Sequence, residues 1–242
     1  MYRYEPKEGN DEELRKRMRE IAAQRKCFGS PCLHIMLKRE EMVVNHKRTE
    51  SIYQEEGLVL RRKRRRKGAA GARIIIPASL RPNQKWSMDF VQDSMVTGRR
   101  FRALTIVDNC TRECPAIEVD TLLGGRRVAQ GLERLEGTRG LPEVITVDNG
   151  PEFAGKALDE WAYRMGVKLN FVHPGRPIEN AFAESFNGRL KDECLNTNWF
   201  LSLKHAREVI EAWRVDYDEV RPHGALKGKS PKEYAEAVAG LY

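Results

Sequence analysis

The chain has 242 residues, with 43 Lys and Arg against 35 Asp and Glu, for a net charge of +8. That length allows one or two domains with a sizeable core, and no apolar run approaches the roughly 18 residues that a membrane span needs. The opening Met1-Tyr2-Arg3-Tyr4-Glu5 does not read as a signal peptide, and five scattered cysteines argue against a secreted disulfide scaffold, so the expectation is a cytoplasmic protein. Charge is unevenly placed: residues 1–73 hold 20 basic and 11 acidic side chains, net +9, and residues 74–242 hold 23 and 24, net −1. A basic front on a neutral body suits a polyanionic partner.

In chain order, Asn10 or Asp11 can cap a helix to about Arg25, with Leu14, Met18 and Ile21 on one face. Pro31 can start a second helix with Leu33, Met36 and Leu37 inward. Asn45 can cap a third from His46 to about Glu56, stopped by Gly57, with Ile52 and Tyr53 inward. Short helices joined by tight turns suggest a helix-turn-helix unit over residues 1–60 that offers Lys47 and Arg48 to DNA. Residues 61–85 then form a basic block and linker. The block is Arg61, Arg62, Lys63, Arg64, Arg65, Arg66 and Lys67, followed by a Gly/Ala hinge. Such a run repels itself and suits phosphate contact through counterion release.

From Trp86 the pattern changes. Trp86–Gln92, Arg100–Val107 and Ala116–Val119 read as an antiparallel meander. A helix Gly125–Glu136, a strand Val144–Val147, a helix within Gly155–Met165 and a strand Lys168–Val172 follow. The helical crossover makes the last two strands parallel. Helices from about Glu179 to Cys194 and from Leu203 to Glu219 complete the pattern. The fold class is α/β: a mixed five-stranded sheet flanked by helices over residues 86–242, preceded by a small all-α domain.

Asp89, Asp148 and Glu184 sit where no fold needs acid. Asp89 interrupts an apolar strand, Asp148 follows the end of a parallel strand, and Glu184 lies on an apolar helix. If the Asp89 and Asp148 strands are neighbours, the two carboxylates meet and the helix can add Glu184. Gathered carboxylates repel unless a divalent cation joins them, and hard oxygen donors suit Mg²⁺ or Mn²⁺. Two such ions can activate a nucleophilic oxygen and stabilise a leaving one.

The segments Trp86-Ser87-Met88-Asp89-Phe90, Asp148-Asn149-Gly150-Pro151-Glu152-Phe153 and Asn180-Ala181-Phe182-Ala183-Glu184-Ser185-Phe186-Asn187-Gly188 resemble the three acidic motifs of retroviral-integrase-like transposases. The chain looks most like the second-reading-frame (OrfB type) transposases of bacterial insertion sequences of the third-named family. Its front, Val44-Asn45-His46-Lys47-Arg48, and its tail, Asp216-Tyr217-Asp218-Glu219-Val220-Arg221-Pro222-His223, share the likeness. The resemblance implies a ribonuclease-H-like catalytic core with Asp89, Asp148 and Glu184 as the catalytic and metal-binding triad. It further implies two Mg²⁺ or Mn²⁺ ions, and DNA cleavage and strand transfer. The implied partners are element ends and target DNA, a homo-oligomer on DNA, and an upstream-frame DNA-binding protein.

Helical spacing sets Asn180, Glu184 and Lys191 on one face, so Lys191 can hold phosphate, and Asn180 or Asn187 can touch DNA. Arg176, in the stiff loop before that helix, is a further phosphate ligand. Two lookalike motifs are set aside. Gly224 to Ser230 has three residues between its glycines, where a nucleotide-binding loop needs four, so no nucleotide cofactor is expected. Cys27, Cys32, His34 and His46 fit no standard zinc spacing. Phe28-Gly29-Ser30-Pro31-Cys32 stands where the family carries Tyr-Gly followed by two arginines. This departure keeps alive a rival reading, an inactive or hydrolysis-only DNA-binding relic.

Overall fold

A computed structural model describes residues 11–43, 45–60, 79–173 and 177–240. The basic block Arg61–Lys67 and the loop residue Arg176 lie outside the described residues. The chain divides into two compact units, Met1–Ala69 with Pro222–Gly228, and Ala70–Arg221 with Lys229–Tyr242.

The first unit holds helices α1 (Asp11–Gln24), α2 (Ser30–Arg39) and α3 (His46–Glu55). Leu14, Met18 and Ile21 recur at helical spacing and close on Phe28, Leu33, Leu37, Ile52 and Tyr53. Asn45 caps α3 by accepting from the Lys47 backbone N–H at 3.0 Å. Arg17 forks onto Glu40 at 2.7 and 2.8 Å and so ties α1 to the end of α2. Thr49 is buried, and its hydroxyl lies 2.8 Å from His34 Nδ1.

The second unit is built on a five-stranded sheet in the order β3-β2-β1-β4-β5. The strands are β1 (Lys85–Ser94), β2 (Arg100–Asp108), β3 (Ala116–Asp120), β4 (Val144–Val147) and β5 (Lys168–Phe171). β1, β2 and β3 pair antiparallel, whereas β4 runs parallel to both β1 and β5. The mixed sheet read from the sequence is therefore present.

Side-chain alternation gives the sheet two apolar faces. Trp86, Met88, Leu104 and Ile106 pack with α4 (Gly125–Glu136) and α5 (Lys156–Met165) through Val128, Leu132, Leu158 and Trp161. Val91, Phe101, Ala103 and Val107 face α6 (Ala181–Glu193) and α7 (Leu203–Glu219) through Phe186, Leu190, Ile210 and Tyr217. The turn into α6 differs from expectation, because Pro177–Asn180 forms a 3-10 turn and the α-helix begins at Ala181.

A last helix, α8 (Pro231–Ala239), is not among the sequence-derived elements. Its signal is a capping box: Ser230 accepts from the Glu233 N–H, the Glu233 side chain accepts from the Ser230 N–H, and Pro231 opens the first turn. Arg221 forks onto Glu193 at 2.7 to 3.1 Å with both side chains nearly buried, so it joins the end of α7 to the end of α6.

Asp218, in the last turn of α7, accepts from the Cys114 N–H at 2.9 Å and from Arg214 at 3.2 Å. Burial pushes its carboxyl up to about 7 despite these partners. The folded state thus keeps a proton that the unfolded chain has lost above about pH 4. The stability this contributes is fully present below that pH and is lost as pH rises through about 7. Asp218→Asn is expected to remove that part of the slope, read from urea midpoints measured across the same window.

Candidate active site

The parallel pairing of β1 with β4 brings the first two acids together. Ser87 pairs with Thr146, and Asp89 and Asp148 each lie two residues beyond that pair on neighbouring strands. β1 continues through Asp89 while β4 ends at Val147, so Asp148 opens the turn at the carboxyl end of its strand. Ligands of open α/β sheets sit at such ends.

Asp89 shares the sheet face covered by α6. Its Oδ2 accepts from Asn187 Nδ2 at 2.9 Å, and its Oδ1 from the Phe90 N–H at 2.7 Å. The Thr105 hydroxyl on β2 lies 2.8 Å from Asn187 Oδ1 and 3.1 Å from the Asp89 carbonyl oxygen. These partners fix the Asn187 amide, with its oxygen to the hydroxyl and its nitrogen to the carboxylate.

Burial is the largest influence on Asp89 and raises its carboxyl above the usual range. The Phe90 and Asn187 donors oppose the rise, and the charges of Asp148 and Glu184 add to it. Glu184 is exposed on the first turn of α6, near enough for its charge to be felt at Asp89. Among the described residues, no three His, Cys, Asp or Glu side chains stand close enough to form a ready-made metal cluster.

The turn after β4 is pinned on several sides. Asn149 Nδ2 donates to the Val172 carbonyl at 2.8 Å, just past β5. The Gly150 N–H donates to Asp148 Oδ1 at 3.0 Å, and Gly150 O accepts from Phe153 and Ala154 at 3.0 Å. Phe153 is fully buried against the sheet.

Asn180 and Asn187 lie elsewhere than the sequence spacing suggests. Each is only 5% exposed, and Asn180 Nδ2 donates to the Met88 carbonyl at 3.0 Å. Both amides therefore point at β1 rather than outward from α6. Lys191 is exposed on the same helix. Lys47 and Arg48 are exposed on the first turn of α3, where Arg48 pairs with Asp11.

The sequence pattern alone did not single out Thr105, Asn149, Arg102, Glu152 and Arg112. Thr105 carried a usable signal, since it interrupts Leu104-Thr105-Ile106 as Asp89 interrupts its own strand. Arg112, at a left-handed φ of 65°, lays its guanidinium 3.8 Å over the Phe182 ring on the first turn of α6.

Residues 79–177 and 165–231 each match an integrase core domain family, and residues 9–66 match an HTH-like domain. The chain is 46% identical over 233 residues to an uncharacterized protein of insertion element IS407 from Burkholderia multivorans, covering 96% of this chain and 84% of that one. It belongs to the insertion-sequence transposases of the OrfB type.

A second relative, an uncharacterized protein of insertion element IS476 from Xanthomonas euvesicatoria, is 41% identical to this transposase over 92% of the chain and 64% of its own length. Among solved structures, the transposase resembles the HTLV-2 integrase catalytic core domain in complex with magnesium. The TM-score is 0.52 at 18% identity, over 64% of this chain and 98% of that one. It also resembles the simian T-cell lymphotropic virus intasome bound to a PP2A regulatory subunit. There the TM-score is 0.60 at 15% identity, over 90% and 74% of the two chains. Both likenesses are of fold, and they identify the sheet and its helices as the ribonuclease-H-like integrase architecture.

Asn187→Ala in this transposase removes a buried donor to Asp89 and a buried acceptor for Thr105. A stability loss of about 1.5–3 kcal/mol is expected from the lost hydrogen bond to the Asp89 carboxylate, measured by urea unfolding at neutral pH.

Proposed function

We propose that the chain is a DNA transposase that cuts the ends of its insertion element and joins the freed 3′-hydroxyl to another phosphodiester. The observation that carries this reading is the register of β1 with β4, which sets Asp89 on β1 and Asp148 just past the end of β4, each two residues beyond the Ser87–Thr146 pair, in a member of this family. In this reading residues 86–242 are the catalytic core and residues 1–60 the DNA-binding domain, with the basic segment and linker between.

The donor set fits a divalent cation. All three donors are carboxylates, and part of the rise at Asp89 is repulsion that a cation would relieve. Asp89, Asp148 and Glu184 would hold Mg²⁺ or Mn²⁺, as two ions. Bound there, the metal supplies Lewis-acid stabilisation of charge on the phosphodiester oxygens. The remaining work belongs to the chain. Asn187 and the Phe90 N–H orient Asp89, and the Gly150 N–H holds Asp148. Asn180 ties the start of α6, the helix that carries Glu184, to β1. Lys191, exposed about two turns along α6 from Glu184, is assigned to the DNA backbone, as is Arg176. The working assembly is a homo-oligomer on DNA, with an upstream-frame DNA-binding protein as a further partner.

Asp89→Asn, Asp148→Asn and Glu184→Gln are each expected to abolish Mg²⁺-dependent cutting and joining of element-end DNA while duplex binding persists. A variant that retains wild-type cutting removes its residue from the triad. Cut products without joined products from the wild-type protein would replace transposition with hydrolysis alone.

Lys47, Arg48 and the segment Arg61–Lys67 are assigned to duplex contact. Replacing Arg61–Lys67 with neutral residues is expected to reduce the slope of log affinity against log salt by about 0.9 for each phosphate no longer neutralised. An unchanged slope would assign the affinity to the core face around Lys191.

A further inference from the structure

Behind the acids, on the opposite face of the sheet, a second group of side chains grips the turn that follows β4. Strand alternation sends Asp89 toward α6 and its neighbour Phe90 toward the α4/α5 side, where Phe90 packs against the core. The Phe90 ring stacks on Phe153 with centroids 4.9 Å apart. Over Phe90, at 4.0 Å, lies the guanidinium of Arg102 from β2. Arg102 also pairs with Glu152, and this contact holds the Glu152 carboxyl below the usual range. Both side chains are largely shielded, with 25% and 21% of their surface exposed.

Gly150 stands between Glu152 and Asp148. A Cβ at that position would lie 2.9 Å from Asp148 Oδ1 and 3.2 Å from Glu152 Oε2. The two carboxylates therefore flank one glycine. Arg102 pairs with Glu152 while lying over Phe90, and so ties the turn to β1 and β2. The turn then keeps the Gly150 N–H on Asp148 Oδ1 at 3.0 Å.

We propose that Arg102 is a positioning residue for Asp148, acting through Glu152 and the Gly150 turn to set the carboxylate for metal. The inference rests on the reading of Asp148 as a metal ligand. It assigns Glu152 a supporting part as the link between Arg102 and the turn, not as a ligand.

The test is Mn²⁺ binding to the full chain without DNA, followed by the loss of the free-ion EPR signal. Far-UV circular dichroism and melting temperature establish that each variant is folded. Asp148→Asn is expected to lose binding. Arg102→Gln and Glu152→Gln are each expected to weaken it by about tenfold, the scale on which groups that orient ligands act. Arg102→Lys, which keeps the charge beside Glu152, is expected to retain most of the affinity. If Arg102→Gln does not fold, Glu152→Gln carries the test, since it leaves the cation–π contact of Arg102 in place. Gln variants that bind Mn²⁺ as wild type does, while Asp148→Asn has lost it, overturn the brace. An Asp148→Asn variant that still binds as wild type overturns the metal reading itself, and the brace with it.

Discussion

The parallel register between β1 and β4 is the constraint on which the rest of the site depends. A parallel pair needs a crossover, and here the chain between β1 and β4 supplies the antiparallel β2 and β3 and then α4 before it returns beside β1. Only this return puts Asp148 beside Asp89, although 58 residues lie between them in the chain. A slip of one residue along β4 would turn every side chain of that strand to the other face. Burial of Ile145, Thr146 and Val147 between neighbouring strands and two helical layers makes such a slip costly.

The third acid is held by different means. α6 has a modest apolar stripe, with Ala183, Phe186, Asn187 and Leu190 buried. The stripe alone leaves the helix free to slide or turn by small amounts. Polar contacts remove that freedom: Asn180 bonds to Met88 O, Asn187 to Asp89 and Thr105, and Glu193 to Arg221 near the far end. Buried polar groups with fixed partners accept few alternative arrangements. Glu184 itself stays exposed and is free to meet a ligand from solvent.

Most of the sheet was legible in the sequence because its strands are strongly apolar and its helices amphipathic. Trp86–Gln92 and Arg100–Val107 agree with β1 and β2 to within a few residues at their ends. The acids were legible as polar residues in apolar surroundings. Asn180 and Asn187 were not, because a polar residue on a helix reads as solvent-facing until its partner on a distant strand is known. Arg102 and Glu152 were hidden for the same reason, being 50 residues apart. α8 was a different kind of omission, since its short capping box is local and visible once Ser230, Pro231 and Glu233 are read together.

The placement of Asn187 also bears on how the protein ages. Asn187-Gly188 and Asn149-Gly150 are both Asn-Gly pairs, the sequence most prone to lose its side-chain amide by attack from the following backbone nitrogen. In α6 the helical backbone holds Gly188 N away from the Asn187 side chain, and burial of that side chain keeps water out. Asn149 is exposed in a turn, but the backbone nitrogen that would attack it is hydrogen-bonded to Asp148, and its own amide is bonded to Val172. The contacts that set the geometry of the acids thus also lengthen the chemical lifetime of the two amides beside them. Deamidation at Asn187 would place a new negative charge against Asp89, at the position where the fold now supplies a donor.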